Sequence, residues 1–290
     1  MLDGRLFVDA HTHVARLPTL SADWRAWVAA FGDGIPLGEL FDSGGVPRPA
    51  AIDEHFARQG ADHVLVFCEY SPKTTGIQPI EDVLPLAEFN PARFRPVANL
   101  NPHLHYPPAR ELARQVSLGA VALKVHPVHG GFEARDRMLY PAYAWAEERQ
   151  LPVIVHCGTS TFSGSVNSYA DPALLDDVFR DFPGLTVVLA HGGRGWWYDQ
   201  AAFLALLRPN VWLEVSGLPP QRLPDYYGSS LRRLADKMVF GTDWPGVPGV
   251  ERNARAVEKV LLDAGCTAGQ VAGALGGHAA GIFGLQTTRR

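Results

Sequence analysis

The sequence is poor in cysteine and contains no long apolar run. Its three cysteines, Cys68, Cys157 and Cys266, lie far apart and form no C-x-x-C pair, so neither a zinc-finger nor a disulfide framework is expected. No apolar run approaches the roughly 18 residues of a membrane span, and no charged and apolar leader precedes the first strand-like segment. We therefore expect a reducing compartment, cytoplasmic localisation and no membrane partner.

Positive charge is also scarce. The 26 Lys and Arg residues are outnumbered by 30 Asp and Glu residues, which gives a net charge of -4, and no basic run exceeds the terminal "RR". This excludes the basic footprint of a nucleic-acid-binding protein. Because 47% of residues are hydrophobic and 19% charged, the composition is that of a globular chain. We expect a small-molecule partner, and the oligomeric state stays open, with a homodimer as one option.

Eight short apolar runs recur along the chain, and most are nearly continuous rather than alternating. They are "RLFVDAH", "ADHVLVFCE", "RFRPVANLN", "GAVALKVHP", "LPVIVHCG", "LTVVLAHGG", "NVWLEVSG" and "KMVFGTDWP". Such runs are typical of parallel strands buried on both faces. Helix-like patterns at 140–150, 171–182 and 201–208 lie between them. This rhythm predicts an α/β fold, a (β/α)8 TIM barrel, with a doubly wound open sheet as the alternative.

One long interval interrupts the rhythm. Residues 14–51 are rich in Gly, Pro and Trp, and connections of this length are usually lids or binding loops. We therefore expect an excursion over the barrel mouth rather than a second domain. No internal repeat or low-complexity linker divides the chain, so a single domain over residues 1–290 is predicted.

Polar side chains recur at the carboxyl ends of the predicted strands. They are His11 and His13 on the first, Lys124 and His126 on the fourth, His156 on the fifth, His191 on the sixth and Asp243 on the eighth. All strands of a barrel end at the same face, so these residues should converge. In an extended strand, His11 and His13 project to one side and can reach one ion. Imidazole and carboxylate suit Zn or a related divalent ion, and Asp243 can also accept a proton from water.

Several residues are candidates for binding substrate. Lys124 should face the barrel interior, where we prefer a substrate carboxylate as its partner; a structural Asp or Glu is the alternative. The other candidates near the predicted mouth are His126, Glu69, His103, Arg194 and Trp196. Each of the rim residues could instead be simply exposed. His103 lies in a His-X-His pair among prolines, in loop rather than strand geometry, which disfavours metal ligation.

The motifs "DAHTHV", "LKVHP", "LPVIVHCG", "LAHGG" and "GTDWP" occur in this order. With them the whole chain resembles the amidohydrolase superfamily, specifically the amidohydrolase-related group that contains aminocarboxymuconate-semialdehyde decarboxylase and the hydroxybenzoate decarboxylases. By this resemblance, His11, His13, His156 and Asp243 match metal ligands, and His191 matches a histidine that assists catalysis. The resemblance implies an enzyme. From the ligand types we expect one divalent ion, Zn first, with Mn or Fe as alternatives.

Three functions are compatible with this pattern. The leading hypothesis is a metal-dependent hydrolase that uses a metal-activated water on a small carboxylate-bearing or cyclic substrate, such as an amide or a lactone. The alternative is a non-oxidative, metal-dependent decarboxylase of an aromatic or unsaturated acid. A non-catalytic metal-binding barrel is the third, and it is disfavoured because competent residues fill every expected ligand position.

Overall fold

The structure is a computed structural model, and it describes residues 2–31, 35–247 and 249–286. Its strands, numbered in chain order, are β1 Val8–Thr12, β2 His63–Phe67, β3 Glu69–Ser71, β4 Gly76–Gln78, β5 Phe94–Leu100, β6 Leu123–Val125, β7 Val153–Gly158, β8 Val187–Arg194, β9 Val211–Glu214 and β10 Met238–Val239. Eight of them form one parallel sheet in the order β1-β2-β5-β6-β7-β8-β9-β10. All eight predicted strands and the TIM barrel are confirmed.

Helices occupy most of the intervals between barrel strands. They are α1 Ala22–Phe31, α2 Leu37–Leu40, α3 Pro49–Arg58, α4 Leu84–Phe89, α5 Pro108–Ser117, α6 Pro127–Gly130, α7 Tyr140–Glu148, α8 Asp176–Asp181, α9 Tyr198–Leu207, α10 Leu223–Tyr227, α11 Leu231–Leu234, α12 Val250–Asp263, α13 Ala268–Ala272 and α14 His278–Phe283. Two of the expected helices match α7 and α9, whereas the third is split into a short 3-10 turn, Pro172–Leu175, and α8. No described helix is both long and apolar enough to cross a membrane.

The near-continuous apolar runs reflect burial on both faces of the sheet. In β2, Val64 and Val66 belong to the large cluster between sheet and helices, whereas Leu65 and Phe67 belong to a second cluster. The second cluster also contains Phe283 of α14. Because successive side chains point to opposite faces, each residue of such a strand meets one of the two cores.

Hydrogen bonds between the first and the last strand segments close the barrel. The amide of Ala10 donates to the Phe240 carbonyl at 3.1 Å, and the amide of Asp243 donates to the His11 carbonyl at 2.9 Å. The buried carboxylate of Asp9 accepts from the amide and the hydroxyl of Thr242, at 2.9 and 2.7 Å. This closure brings the "HTH" segment beside Asp243.

Part of the 14–51 segment packs against the hairpin β3–β4. Leu20 forms an antiparallel bridge with Gly76 of the hairpin β3–β4, and the Ser21 amide donates to the Thr75 carbonyl at 2.9 Å. Trp24 of α1 is buried. The segment that leads into α1 is therefore held against the hairpin by backbone hydrogen bonding.

Replacing Thr242 by Val tests the closure, because the change keeps the side-chain volume but removes the donor to Asp9 and the acceptor of the Trp244 amide. A lost hydrogen bond to a buried carboxylate costs about 1–3 kcal/mol, so we expect the free energy of unfolding in urea to fall by that amount. The matched control is Thr19→Val, whose hydroxyl bonds an exposed carbonyl and should change stability by less than about 0.5 kcal/mol. Equal stability of T242V and wild type would refute this role for Thr242.

Candidate active site

A cavity of about 290 Å³ lies at the carboxyl ends of the barrel strands. Polar side chains on its wall include His13, Glu69, His126, His129, His156, His191, Arg194 and Asp243. Trp24 and Trp27 of α1 and the Phe162 ring, which follows β7, supply apolar wall. The cavity therefore combines titratable groups with flat hydrophobic surfaces, as small-molecule sites do.

Three ligand-type atoms converge beside this cavity. Nε2 of His11 lies 3.6 Å from Oδ1 of Asp243, and Nε2 of His13 lies 3.4 Å from the same oxygen. The three atoms lie within 4.8 Å of one another, close enough to hold one metal ion. The closure of the barrel between β1 and the segment after β10 produces this arrangement.

A buried carboxylate fixes the orientation of His11. Nδ1 of His11 donates to Oε2 of Glu214 at 2.9 Å, and the Ser216 hydroxyl donates to the same oxygen at 2.8 Å. Because Nδ1 carries the proton, Nε2 presents its lone pair toward Asp243 and His13. Burial and the nearby Lys124 charge lower the pKa of His11 well below its usual value, so the ring is neutral near pH 7.

Asp243 is ionised and held in an unusual backbone conformation. Burial opposes its ionisation, but the hydrogen bond from His13 and the positive groups around it, including Arg194, keep the pKa of the carboxyl far below its ordinary value. Its φ is 67°, in the left-handed region that non-glycine residues rarely adopt. Such strain is found at sites where the surrounding fold dictates side-chain direction.

His191 has the same left-handed conformation, with a φ of 64°. Its Nδ1 lies 3.1 Å from the Ser216 carbonyl, which can only accept, so Nδ1 is protonated and Nε2 is bare. Burial, followed by the charge of Arg194, lowers the pKa of His191 well below the usual value. The ring is therefore a neutral base on the cavity wall.

His156 belongs to a stack of imidazoles. Its ring centroid lies 3.9 Å from that of His126 and 4.5 Å from that of His191. Nε2 of His156 donates to the Gly158 carbonyl at 2.8 Å, and its buried Nδ1 has no hydrogen-bond partner among the described residues. His156 is not part of the three-atom group that His11, His13 and Asp243 form. The lone pair of its unprotonated Nδ1 is nevertheless available to a ligand.

Two cations lie near the candidate metal ligands, and of the two only Arg194 lines the cavity. Lys124 is buried, its Nζ has no hydrogen-bond partner in the described part of the chain, and it lies 4.8 Å from the centre of the Phe67 ring. Burial lowers the pKa of Lys124 to about 8, against the opposing effect of Glu214 and Asp243. Arg194 lines the cavity and places NH1 3.9 Å from Oδ2 of Asp243. Arg194 can therefore contact an anionic ligand directly, whereas Lys124 contributes positive charge from a buried position.

The other expected substrate-binding residues divide into two groups. His126 and Glu69 line the cavity, although Oε1 of Glu69 already accepts from His129 and Thr75. The exposed His103 ring lies 3.3 Å from the Gly131 carbonyl and lines a separate surface depression. Trp196 is 65% exposed and lies outside the cavity wall. His103 and Trp196 therefore follow barrel strands in the sequence but do not line the cavity.

Sequence reasoning missed three features of the site. Glu214 is the one charged residue in "NVWLEVSG", and a carboxylate in an otherwise apolar strand was the available signal. His129 follows His126 by three residues, the spacing of one helical turn, in the short helix α6. No sequence signal marks Trp24 and Trp27 as cavity wall, because their direction depends on how α1 packs.

Solved structures of other proteins share this fold. An uncharacterised TIM-barrel protein from Bordetella bronchiseptica is 24% identical, with a TM-score of 0.75 over 96% of this chain and 98% of its own. A probable 2-pyrone-4,6-dicarboxylic acid hydrolase from Acinetobacter baumannii is 14% identical (TM-score 0.64; 96% and 99% covered). A 5-carboxyvanillate decarboxylase from Sphingomonas paucimobilis is 17% identical (TM-score 0.63; 97% and 99% covered). No curated protein matches the chain.

A family model described as Amidohydrolase matches residues 8–285, which is nearly the whole chain. The matched region spans every barrel strand and all the candidate ligands. The resemblance inferred from the sequence motifs is thereby confirmed, and the chain belongs to the amidohydrolase family.

Proposed function

We propose that this protein is a metal-dependent hydrolase acting on a small carboxylate-bearing or cyclic substrate, such as an amide or a lactone. The observation that carries the proposal is the convergence of His11 Nε2, His13 Nε2 and Asp243 Oδ1 at the edge of the cavity. The hydrogen bond from His11 to Glu214 supports it, because ligating histidines usually donate their second nitrogen to a carboxylate or carbonyl.

One divalent ion fits these residues. His11, His13 and Asp243 would hold it, with His156 as the fourth ligand, since the buried Nδ1 of His156 otherwise has no partner among the described residues. Three imidazole nitrogens and a carboxylate oxygen suit Zn best, with Mn or Fe as alternatives. When bound, such an ion lowers the pKa of a water molecule and polarises a carbonyl group.

His191 is the proposed general acid and base. Its neutral ring presents Nε2 as the basic nitrogen, while the bond from Nδ1 to the Ser216 carbonyl holds the tautomer. Asp243 is ionised, so its carboxylate is a second acceptor for a proton. His191 and Asp243 are therefore the two proposed proton acceptors on the cavity wall.

The remaining wall residues suit a small anion with a planar part. Arg194 on the wall and the buried Lys124 supply positive charge that attracts a carboxylate, and His126 is a further polar contact. The aromatic rings of Trp24 and Trp27 can pack against a flat ring or double bond. Because Lys124 carries no structural carboxylate within salt-bridge distance among the described residues, we assign it to the substrate and expect one ion rather than two.

Decarboxylation is the alternative that the same residues permit. Solved structures of this fold include a protein described as a hydrolase and another described as a decarboxylase, and neither likeness decides between the reactions. We lead with hydrolysis because Lys124 and Arg194 would hold a carboxylate that survives the reaction, whereas a decarboxylase expels it.

Isotope labelling separates the two reactions. The protein is presented with lactones, amides and hydroxybenzoate-type acids, in heavy-oxygen water and, separately, in deuterated water. A hydrolase places heavy oxygen in a product carboxylate and releases no CO2. Stoichiometric CO2 release with deuterium on the carbon that lost its carboxylate would replace our proposal with the decarboxylase. A bound ion without turnover of any substrate would favour a binding protein.

The role of His191 is tested by His191→Asn, which keeps a donor for the Ser216 carbonyl but has no basic nitrogen. Loss of a general base should lower kcat/KM by about 10²-fold or more while metal content stays at the wild-type level. The control is His55→Asn on α3, outside the cavity wall, which should retain both. Loss of metal in proportion to activity would make His191 a ligand instead.

A further inference from the structure

A second set of catalytic-type residues lies in the same cavity, apart from the proposed metal ligands. Nδ1 of His129 lies 2.9 Å from Oε1 of Glu69, and Nε2 of His129 lies 2.9 Å from Oγ of Ser160. The three residues come from β3, α6 and the loop after β7, and all three line the cavity. We propose that they form a carboxylate–histidine–serine triad whose Ser160 hydroxyl attacks acyl groups without a metal ion. This inference goes beyond the proposed function.

The hydrogen bonds fix where the protons lie. Burial alone would raise the pKa of Glu69, but His129 and the Thr75 hydroxyl, at 2.6 Å, lower it to about 2. The carboxylate can therefore only accept, so Nδ1 of His129 donates to it. In the neutral ring, Nε2 is then bare and accepts from the Ser160 hydroxyl at 2.9 Å, which is the proton arrangement of an activated nucleophile.

The surrounding loop holds Ser160 in place. Its amide donates to the Asn167 side chain at 2.7 Å, and its carbonyl accepts from the same side chain at 3.0 Å. Oγ also accepts from the Phe162 amide at 3.3 Å and from the Ser165 hydroxyl at 3.0 Å. These two donors favour negative charge on Oγ as its proton leaves.

A metal ion is the alternative occupant of the space between Glu69, His126 and His129, because one ligand atom from each lies within 4.8 Å of the others. The existing hydrogen bonds of His129 and His126 disfavour metal binding there. Nδ1 of His129 directs a proton at Glu69, and Nδ1 of His126 accepts from the His129 amide at 3.2 Å. An ion bound through these nitrogens would have to replace both bonds, whereas the triad uses them as they stand.

The reaction is a two-step acyl transfer. Oγ of Ser160 bonds to the carbonyl carbon of an ester and passes its proton to Nε2 of His129. The bond from that carbon to the leaving oxygen breaks, and the leaving alcohol takes the proton from Nε2. A water molecule then attacks the acyl-serine, gives one proton to Nε2, and the proton returns to Oγ as the acid departs. The sum is ester plus water to acid plus alcohol.

Labelling with phenylmethanesulfonyl fluoride tests the proposal, since the S–F bond breaks, an Oγ–S bond forms, and fluoride leaves with the proton. We expect one sulfonyl group per full-length chain by intact mass, located on Ser160 by peptide mapping. Protein stripped with a chelator should be labelled equally, so failure of the metal hypothesis would leave this result intact. Glu69→Gln and His129→Gln should slow labelling by about 10²-fold or more.

Two controls keep the test sharp. Ser163→Ala alters an exposed hydroxyl of the same loop and should be labelled like wild type, whereas Ser160→Ala should not be labelled. Mapping the adduct in the unmutated protein gives the answer even if a variant fails to fold. An unlabelled wild-type protein, or an adduct on another residue, would overturn the triad. A second zinc ion that is lost in Glu69→Gln would show instead that Glu69, His126 and His129 bind a metal.

Discussion

The site depends on one buried hydrogen bond, from Nδ1 of His11 to Glu214. Both side chains are about 1% exposed, so neither group can exchange this partner for water. Burial raises the pKa of Glu214 to about 7, and its bonds from Ser216 and the charge of Lys124 act in the opposite direction. Because this bond places the proton on Nδ1, Nε2 of His11 directs its lone pair at Asp243. The bond also connects a side chain of β1 to a side chain of β9.

Other histidines around the cavity also donate one ring nitrogen to a fixed acceptor. His191 commits Nδ1 to the Ser216 carbonyl, His156 commits Nε2 to the Gly158 carbonyl, and His129 commits Nδ1 to Glu69. In each ring the second nitrogen is left as a lone pair. Burial lowers the pKa of His156 and His191, which keeps these two rings neutral near pH 7. A buried wall of basic nitrogens, with Asp243 ionised beside it, suits both metal binding and proton transfer.

Much of this architecture follows from the sequence, because strand burial and barrel geometry are encoded locally. The apolar runs predict eight parallel strands, and the common face of a barrel places His11, His13 and Asp243 together. Contacts that depend on packing are not encoded in this way. The partnership of Glu214 with His11 joins residues 203 positions apart. The direction of loop residues such as His103 depends on turns that the sequence pattern does not specify, and the hairpin β3–β4 is too short to give a pattern.

Anomalous diffraction at the zinc edge, from crystals of the protein grown with zinc, tests the central claim most directly. The hydrogen-bonded orientation of His11 predicts one peak bounded by His11 Nε2, His13 and Asp243, at about 2.0–2.2 Å from each ligand atom. A peak at Glu69 and His129 with none at His11, or no peak from zinc-saturated protein, would contradict the account.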